Sequence, residues 1–526
     1  MKILIADALS DKALEILASA NLSADVKTGL KAEELQNIIG EYDAVVVRSA
    51  AKITKDIIAK GDKLKVIGRA GIGVDNVDVA AATDKGIVVM NTPQGNALAA
   101  AEHTIGLMFA AARKIGLGDR TMKQGKWEKK ALMGIEIYGK TLGIVGIGNI
   151  GAIVAEKALA LGMRVVAYDI FISKEFAESK GIELVDFDTL LKESDFISVH
   201  VPLVKETRNL INKDTIAKMK KSVIIMNVAR GPVVNEKDLF DAIQEGRVAG
   251  AALDVFDEEP TPKENPLVLC DQVVCTPHLG ASTAEAQDKV AIDIANQIVD
   301  FFQNGVIKNS VNAPSVSLDV TKKIAPYLKL AENLGVTVSA ITGFPIKEIQ
   351  IQYQGDIAEM DTKILTQGII KSILSKQLEG VNYVNAPSVA RNRDIKIMET
   401  KMGEHEDFTC LLGIIVKGGD GENAAYGTLL GRKAPRLIKV NKIYLEAELT
   451  GQMVFMYTND KPGVIASIGN VFAKHNINIG GMHFGRETIG GLAITLLDVD
   501  KEVEDSVVKE LMSLQNVLNV KKIDLA

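Results

Sequence analysis

Thr141-Leu-Gly-Ile-Val-Gly146-Ile-Gly148-Asn-Ile-Gly151 decides how this 526-residue chain is read. An apolar run of strand length leads into three glycines spaced Gly-x-Gly-x-x-Gly, and a helical run follows at 152–161. The first glycine permits a tight turn, the second clears space for a pyrophosphate, and the third lets helix and strand pack closely. Asn149 and Ile150 complete the turn, and the backbone N–H groups there would receive phosphate oxygens. Arg164-Val-Val-Ala-Tyr-Asp169 supplies the next strand and ends in a carboxylate. Asp169 is placed to accept from an adenosine ribose 2′-hydroxyl and to repel a 2′-phosphate, which selects NAD over NADP.

Working outward, strands are expected at 141–145, 164–168, 196–199, 223–227, 249–253 and 273–275, enough for a complete Rossmann-type sheet. Upstream, short apolar runs at 2–6, 44–47, 66–67 and 88–90 alternate with helical patterns at 11–19 and 31–39. That βα repeat implies a second parallel sheet, covered on both faces. A helix at 97–113 would carry the chain into the nucleotide-binding unit, and one at 282–302 would carry it back. The expected domains are therefore 1–97 plus 287–310, discontinuous, with 98–286 inserted. After Asn312-Ala-Pro314 an α+β region spans 313–450, with strands at 348–354, 407–416 and 436–438 and a break at Ala386-Pro-Ser388. Residues 452–526 read βαββαβ.

Composition is that of an ordinary globular protein, 47% hydrophobic and 24% charged. The formal net charge of −6 gives no general attraction to nucleic acid. No run of 18 apolar residues exists, so a membrane span is not expected. Met1-Lys-Ile-Leu-Ile-Ala-Asp7 turns acidic after four apolar positions, unlike a secretory leader. Cys270, Cys275 and Cys410 have neither metal-ligand nor disulfide-framework spacing, which fits a reducing cytoplasm and a site without metal.

Arg230, Glu259 and His278 carry the chemistry. Moving a hydride from C2 of a hydroxyacid needs a base for the hydroxyl proton and a fixed partner for the neighbouring carboxylate. His278 lies just past a strand, in Cys275-Thr-Pro-His278, at the edge where open α/β sheets place ligands. It can accept the proton in oxidation and return it in reduction. Glu259 would fix its tautomer and favour the imidazolium. Arg230, after the strand at 223–227, offers a fork for a carboxylate and for charge growing on the C2 oxygen. Arg48 also ends a strand, with Ser49 beside it. Backbone N–H groups of Ala70-Gly71-Ile-Gly73 would form a nest for a carboxylate, assisted by Asn96. His103 reads as structural, or as part of the cleft wall.

Residues 1–310 resemble the D-isomer-specific 2-hydroxyacid dehydrogenases, in Arg69-Ala-Gly-Ile-Gly-Val-Asp-Asn76, Asn91-Thr-Pro-Gln-Gly-Asn96, Asn227-Val-Ala-Arg230-Gly and Thr276-Pro-His278-Leu-Gly-Ala-Ser-Thr283. The resemblance implies that Arg230, Glu259 and His278 are catalytic. It implies that His200, Val201, Pro202, Val228, Ala229, Asp254, Gly280 and Ala281 line NAD with Arg230 and His278. It points to the phosphoglycerate-oxidising members, hence to 3-phospho-D-glycerate as substrate, 3-phosphohydroxypyruvate as product and entry into L-serine synthesis. Some relatives carry a second arginine where Ala50 stands, which leaves Lys129 or Lys130, after Trp127, to assist Arg48. Residues 313–450 resemble the intervening domain of the long form, most clearly in Gly427-Thr-Leu-Leu-Gly431-Arg-Lys-Ala-Pro-Arg436. Lys433, Arg436 and Lys439 there suit an anion or an oligomer contact. Residues 452–526 resemble an ACT domain, an amino-acid-sensing module. Its loop Asn459-Asp-Lys-Pro-Gly463 implies that Asp460 and Asn478 hold an L-serine effector across paired domains, in a homo-oligomer (dimer or tetramer). Thr458 stands where His or Tyr is common. Two other readings stay open: a dehydrogenase for glyoxylate/glycerate or a branched 2-ketoacid, and an NAD-sensing binding or corepressor protein.

Overall fold

A computed structural model describes residues 1–314, 318–376, 378–419 and 421–525. The first sheet has five parallel strands, in the order Ser23–Val26, Lys2–Ile5, Ala44–Val47, Val66–Arg69, Val88–Met90. This is the flavodoxin-like order 2-1-3-4-5. The edge strand Ser23–Val26 has no fully buried residue, so it lacks the apolar run that marks its neighbours in the sequence. Helix Ala284–Asn304 lays Val290, Ala291, Ile294 and Ile298 into this sheet's core, against Leu17 of helix Asp11–Ser19. The chain thus returns to the first sheet after leaving it.

It leaves through helix Ala97–Ala112, which stops short because Lys114 turns left-handed at φ 53°. A separate helix, Ile115–Lys123, follows. The second sheet has seven parallel strands: Val273–Cys275, Gly250–Leu253, Ile224–Asn227, Phe196–Val199, Thr141–Val145, Arg164–Tyr168 and Glu183–Leu184. Six match the sequence pattern within a residue, and the two-residue edge strand Glu183–Leu184 is too short to show one. Strand order reverses at Thr141–Val145, so a crevice opens beyond its carboxyl end.

The third sheet has six strands, ordered Lys396–Met402, Glu348–Gly355, Cys410–Gly418, Gly421–Leu430, Ala434–Val440 and Ile443–Glu448. Lys396–Met402 is mostly exposed and Gly421–Leu430 is built from small residues, so neither has a strong strand signature. Ala386-Pro-Ser388 opens helix Ala386–Asn392 instead of breaking the chain. Proline is tolerated in a helix's first turn, where its missing N–H has no intrahelical partner to lose.

The last sheet is antiparallel, ordered Ile479–Arg486, Leu492–Val499, Gly451–Asn459, Val517–Leu525. Helices Val464–Lys474 and Asp505–Met512 cover one face. On the other face Phe455, Leu496 and Ile523 share a core with Leu330, Leu334 and Val338 of helix Leu318–Ile341. No described helix is long and apolar enough to cross a membrane.

Close packing at the glycine turn is testable. A Cβ at Gly151 would sit 2.1 Å from the Gly146 carbonyl oxygen, so side-chain bulk must push helix Asn149–Ala160 off its strand. Gly151→Ala is expected to lower stability by about 1–3 kcal/mol, read by chemical unfolding, as overpacking does elsewhere. An unchanged midpoint would contradict that packing.

Candidate active site

The second sheet's carboxyl edge gathers the candidate catalytic groups. Asp254, one residue past strand Gly250–Leu253, is 1% exposed and receives Thr276 Oγ1 at 2.6 Å, Leu279 N at 2.7 Å and Gly280 N at 2.8 Å. His103 Nε2 lies 3.1 Å from the same carboxylate, so His103 braces this loop from helix Ala97–Ala112. Burial alone would raise the Asp254 pKa, but the hydrogen bonds together outweigh it and hold the group below the usual carboxylate range. The loop so pinned carries His278 at φ 54°, its N–H donating to the Asp254 carbonyl at 2.8 Å.

His278 Nδ1 meets Glu259 Oε2 at 2.7 Å, and Glu259 Oε1 accepts from Phe256 N at 3.1 Å. The Glu259 hydrogen bond raises the His278 pKa above 6.5, against burial, which lowers it. Burial pushes Glu259 up, yet its bonds to His278 and Phe256 N bring it below its ordinary value. Nδ1 is committed to the carboxylate, which leaves Nε2 for chemistry.

Arg230 reaches across to the first sheet. Its Nε and Nη2 both lie 2.8 Å from Asp75 Oδ2, and Nη1 donates to Ala229 O at 2.7 Å. Asn227 Nδ2 donates to the Arg230 carbonyl at 2.9 Å and sets the turn. Arg48 is fixed through its backbone, N–H to Asp7 Oδ2 at 2.7 Å and C=O from Asn76 Nδ2 at 2.9 Å. Ser49 is exposed beside it, and Asn96 keeps a buried Oδ1 without a partner. Trp127, Lys129 and Lys130 lie on an exposed stretch.

Sequence reading missed Arg69 as a site residue. It ends strand Val66–Arg69, folds back over Gly71, and has a buried Nε with no hydrogen-bond partner. Burial first, then Arg230, lowers its pKa to about 10, with Arg48 adding to the effect. The signal was available: like Arg48 and Arg230, it is a cation at the carboxyl end of a parallel strand. In the nest expected along residues 70–73, the Ala70 N–H donates to the Val47 carbonyl at 2.9 Å. The Gly71 N–H already donates to the Arg69 carbonyl at 3.0 Å. A Cβ at Gly71 would overlap Arg69 Nη1 and one at Gly73 would overlap Arg230 Nη2, so these glycines make room for guanidiniums.

The dinucleotide fits the glycine turn. Gly146 takes φ 95°, and nothing lies within 4 Å of where a Gly148 Cβ would be, which leaves that space to a phosphate. Gly148 caps helix Asn149–Ala160 without a side-chain acceptor, so its first amides stay free. Asp169 accepts from Ile147 N at 2.8 Å and Phe171 N at 2.7 Å, which holds its carboxylate against the turn. His200 closes the turn's other side. Its carbonyl would be 3.0 Å from a Gly146 Cβ, its Nε2 pairs with Ser198 Oγ at 2.8 Å, and burial lowers its pKa to about 4. Val201 also packs on Gly146, and Val228 lies beside Gly280.

In the last domain Asp460 Oδ2 accepts from Arg486 Nη1 at 2.9 Å and Gly490 N at 3.0 Å. Both side chains line a cavity of about 250 Å³ with Thr458, Val464, Phe484 and Thr495. Asn478 does not line it within this chain; its Nδ2 donates to Asp500 at 2.7 Å.

The family model for the NAD binding domain of D-isomer specific 2-hydroxyacid dehydrogenases matches residues 105–280. Those for the D-3-phosphoglycerate dehydrogenase intervening domain and the ACT domain match 323–441 and 453–516. The D-3-phosphoglycerate dehydrogenase of Archaeoglobus fulgidus is 42% identical, over 100% of each chain. That of Synechocystis sp. is 43% identical, over 98% of this chain and 93% of its own. The structure of D-lactate dehydrogenase from Aquifex aeolicus, complexed with NAD and lactic acid, aligns with TM-score 0.53 and 29% identity over 60% of this chain and all of its own. Fold, site and likeness define an NAD-dependent oxidoreductase of the 2-hydroxyacid dehydrogenase class. Within that class, the chain belongs to the D-3-phosphoglycerate dehydrogenase family.

The His278–Glu259 pair gives a signed prediction. A raised histidine pKa contributes stability that is complete below 6.5 and lost as pH rises through the folded value. NMR titration of the His278 ring should give a midpoint above 6.5 that falls in Glu259→Gln. A midpoint indifferent to Glu259→Gln would contradict the coupling.

Proposed function

We propose that this chain oxidises 3-phospho-D-glycerate to 3-phosphohydroxypyruvate, feeding L-serine synthesis in the cytoplasm, where Cys270, Cys275 and Cys410 stay as free thiols. The observation that carries the reading is a cluster of three guanidiniums at strand ends, Arg48, Arg69 and Arg230, in which Arg69 folds over Gly71, Arg230 over Gly73, and Asp75 is the counter-charge held by Arg230. Arg69 has neither an ion-pair partner among the described residues nor a partner for its Nε. A phosphate monoester brings about −1.5 to −2 charge, and the substrate carboxylate adds another. D-lactate and glyoxylate bring only the latter.

In this reading Arg230 trades Asp75 for the substrate carboxylate, while Arg48 and Arg69 take the phosphate, with Ser49 and Asn96 alongside. Gly71 and Gly73 keep the floor open for the two guanidiniums. NAD, when bound, supplies the hydride acceptor. Gly146, Gly148, Asn149, Ile150 and Gly151 would hold its pyrophosphate and Asp169 its ribose. His200, Val201, Pro202, Val228, Ala229, Asp254, Gly280 and Ala281 would border the rest. His278 Nε2 takes the C2 hydroxyl proton as the C2 hydrogen departs with its electron pair. Glu259 stabilises the imidazolium, and Arg230 the charge on the C2 oxygen. In reduction the same imidazolium returns the proton.

Feedback by L-serine belongs to the same proposal. Asp460 would meet the ammonium in the ACT-domain cavity, and Asn478 would reach the ligand from a paired domain, in a dimer or tetramer.

Steady-state rates with D-3-phosphoglycerate, D-glycerate and D-lactate test the substrate. Arg69→Leu should raise KM for phosphoglycerate roughly 10–100-fold, as for a lost charge-assisted contact of about 1.5–3 kcal/mol, and spare D-glycerate. A preference for D-lactate, or an unmoved KM, would overturn the reading. L-serine should slow the parent enzyme and lose this effect in Asp460→Asn; rates indifferent to serine would remove the feedback.

A further inference from the structure

Three stripes of side chains converge in the intervening domain, away from the catalytic cleft. Helix Lys363–Leu374 presents Lys363, Thr366, Gln367 and Ile370, spaced i, i+3, i+4 and i+7 on one face. Helix Ala386–Asn392 adds Pro387 and Arg391, four apart. The sheet's edge contributes Ile395, Ile397 and Glu399, alternate residues that point to one side. They enclose a cavity of about 370 Å³. Ile370 and Ile395 are buried and form an apolar floor beside Thr366, whose hydroxyl pairs with Tyr353 Oη at 2.8 Å, while Lys363, Arg391 and Glu399 stand exposed around the rim.

The rim charges are unspent. Among the described residues Lys363 and Arg391 form no ion pair, although both share a cavity with a carboxylate. Glu399 accepts only a long bond from Thr362 Oγ1, at 3.3 Å. On the same wall Gln367 keeps a buried carboxamide oxygen without a partner. Two cations and one anion around an aliphatic floor match a zwitterion with an apolar body. Few convergent polar groups over an apolar pocket is the usual form of a small-molecule site. The helix supplying Arg391 and the turn just before it also dock on the first domain. Ser388 donates to Asp84, Asn382 Nδ2 donates to Gly86 O at 2.9 Å, and Val384 enters the first sheet's core.

We propose that this cavity binds a free α-amino acid with an aliphatic side chain. Lys363 and Arg391 hold its carboxylate, Glu399 its ammonium, and Ile370, Ile395, Ile397 and Pro387 its side chain. The site is separate from the ACT-domain cavity and independent of the reading given above for serine.

Calorimetric titration of the full-length protein with L-leucine tests it, alongside 4-methylpentanoate, which lacks the ammonium, and isoamylamine, which lacks the carboxylate. L-leucine is expected to bind, with both analogues weaker. Arg391→Gln and Glu399→Gln should each weaken L-leucine roughly tenfold or more, the loss of one charge-assisted contact, and Asp460→Asn should not. Both rim residues are exposed, so unchanged dehydrogenase rates without leucine would show that the variants fold. No heat at millimolar leucine would overturn the proposal. So would binding indifferent to both rim variants, or binding lost only in Asp460→Asn.

Discussion

One buried carboxylate, Asp254, sets the geometry of the second sheet's carboxyl edge. Its oxygens hold Thr276, Leu279 and Gly280, and its own carbonyl takes the His278 N–H. A non-glycine residue in left-handed backbone costs of order 1–3 kcal/mol and persists only where the surroundings over-determine it. Here they do, and the result is an imidazole turned to meet Glu259. The acid pair therefore rests on backbone architecture as well as on its own hydrogen bond.

The cleft's other wall follows a different logic. Parallel strands of the first sheet deliver Arg48 and Arg69 at their carboxyl ends, and the second sheet delivers Arg230 to the same place. Burial disfavours the charged form of Arg69, and the neighbouring Arg230 and Arg48 cations add to that penalty. Asp75 relieves Arg230 by bridging the two sheets. A multiply charged anion would offset these cations together, which is what the charge arrangement of this wall favours.

Much of this was legible in the sequence. Gly146-x-Gly148-x-x-Gly151 and the apolar runs around it set out the second sheet, because buried parallel strands are continuous apolar stretches. Edge strands such as Ser23–Val26 and Glu183–Leu184 escaped notice, since half-exposed or very short strands carry no such run. The positions of Arg230, Glu259 and His278 past strand ends were legible, and the structure places His278 on Glu259 and Arg230 on Asp75. Arg69 stands inside a motif, but its burial and its unpartnered Nε arise only in the folded structure. At Gly71 and Gly73 the amides are legible in the sequence, but the space these glycines leave for guanidiniums is not. The cavity rimmed by Lys363, Arg391 and Glu399 was invisible, because its stripes come from three elements that only the tertiary fold brings together.

The most direct test is a crystal structure with NAD and 3-phospho-D-glycerate bound. The account requires His278 Nε2 within hydrogen-bond reach of the C2 oxygen and Arg230 released from Asp75 onto the carboxylate. It also requires the phosphate to lie between Arg48 and Arg69. A phosphate held elsewhere, with Arg69 still unpartnered and Arg230 still on Asp75, would contradict it.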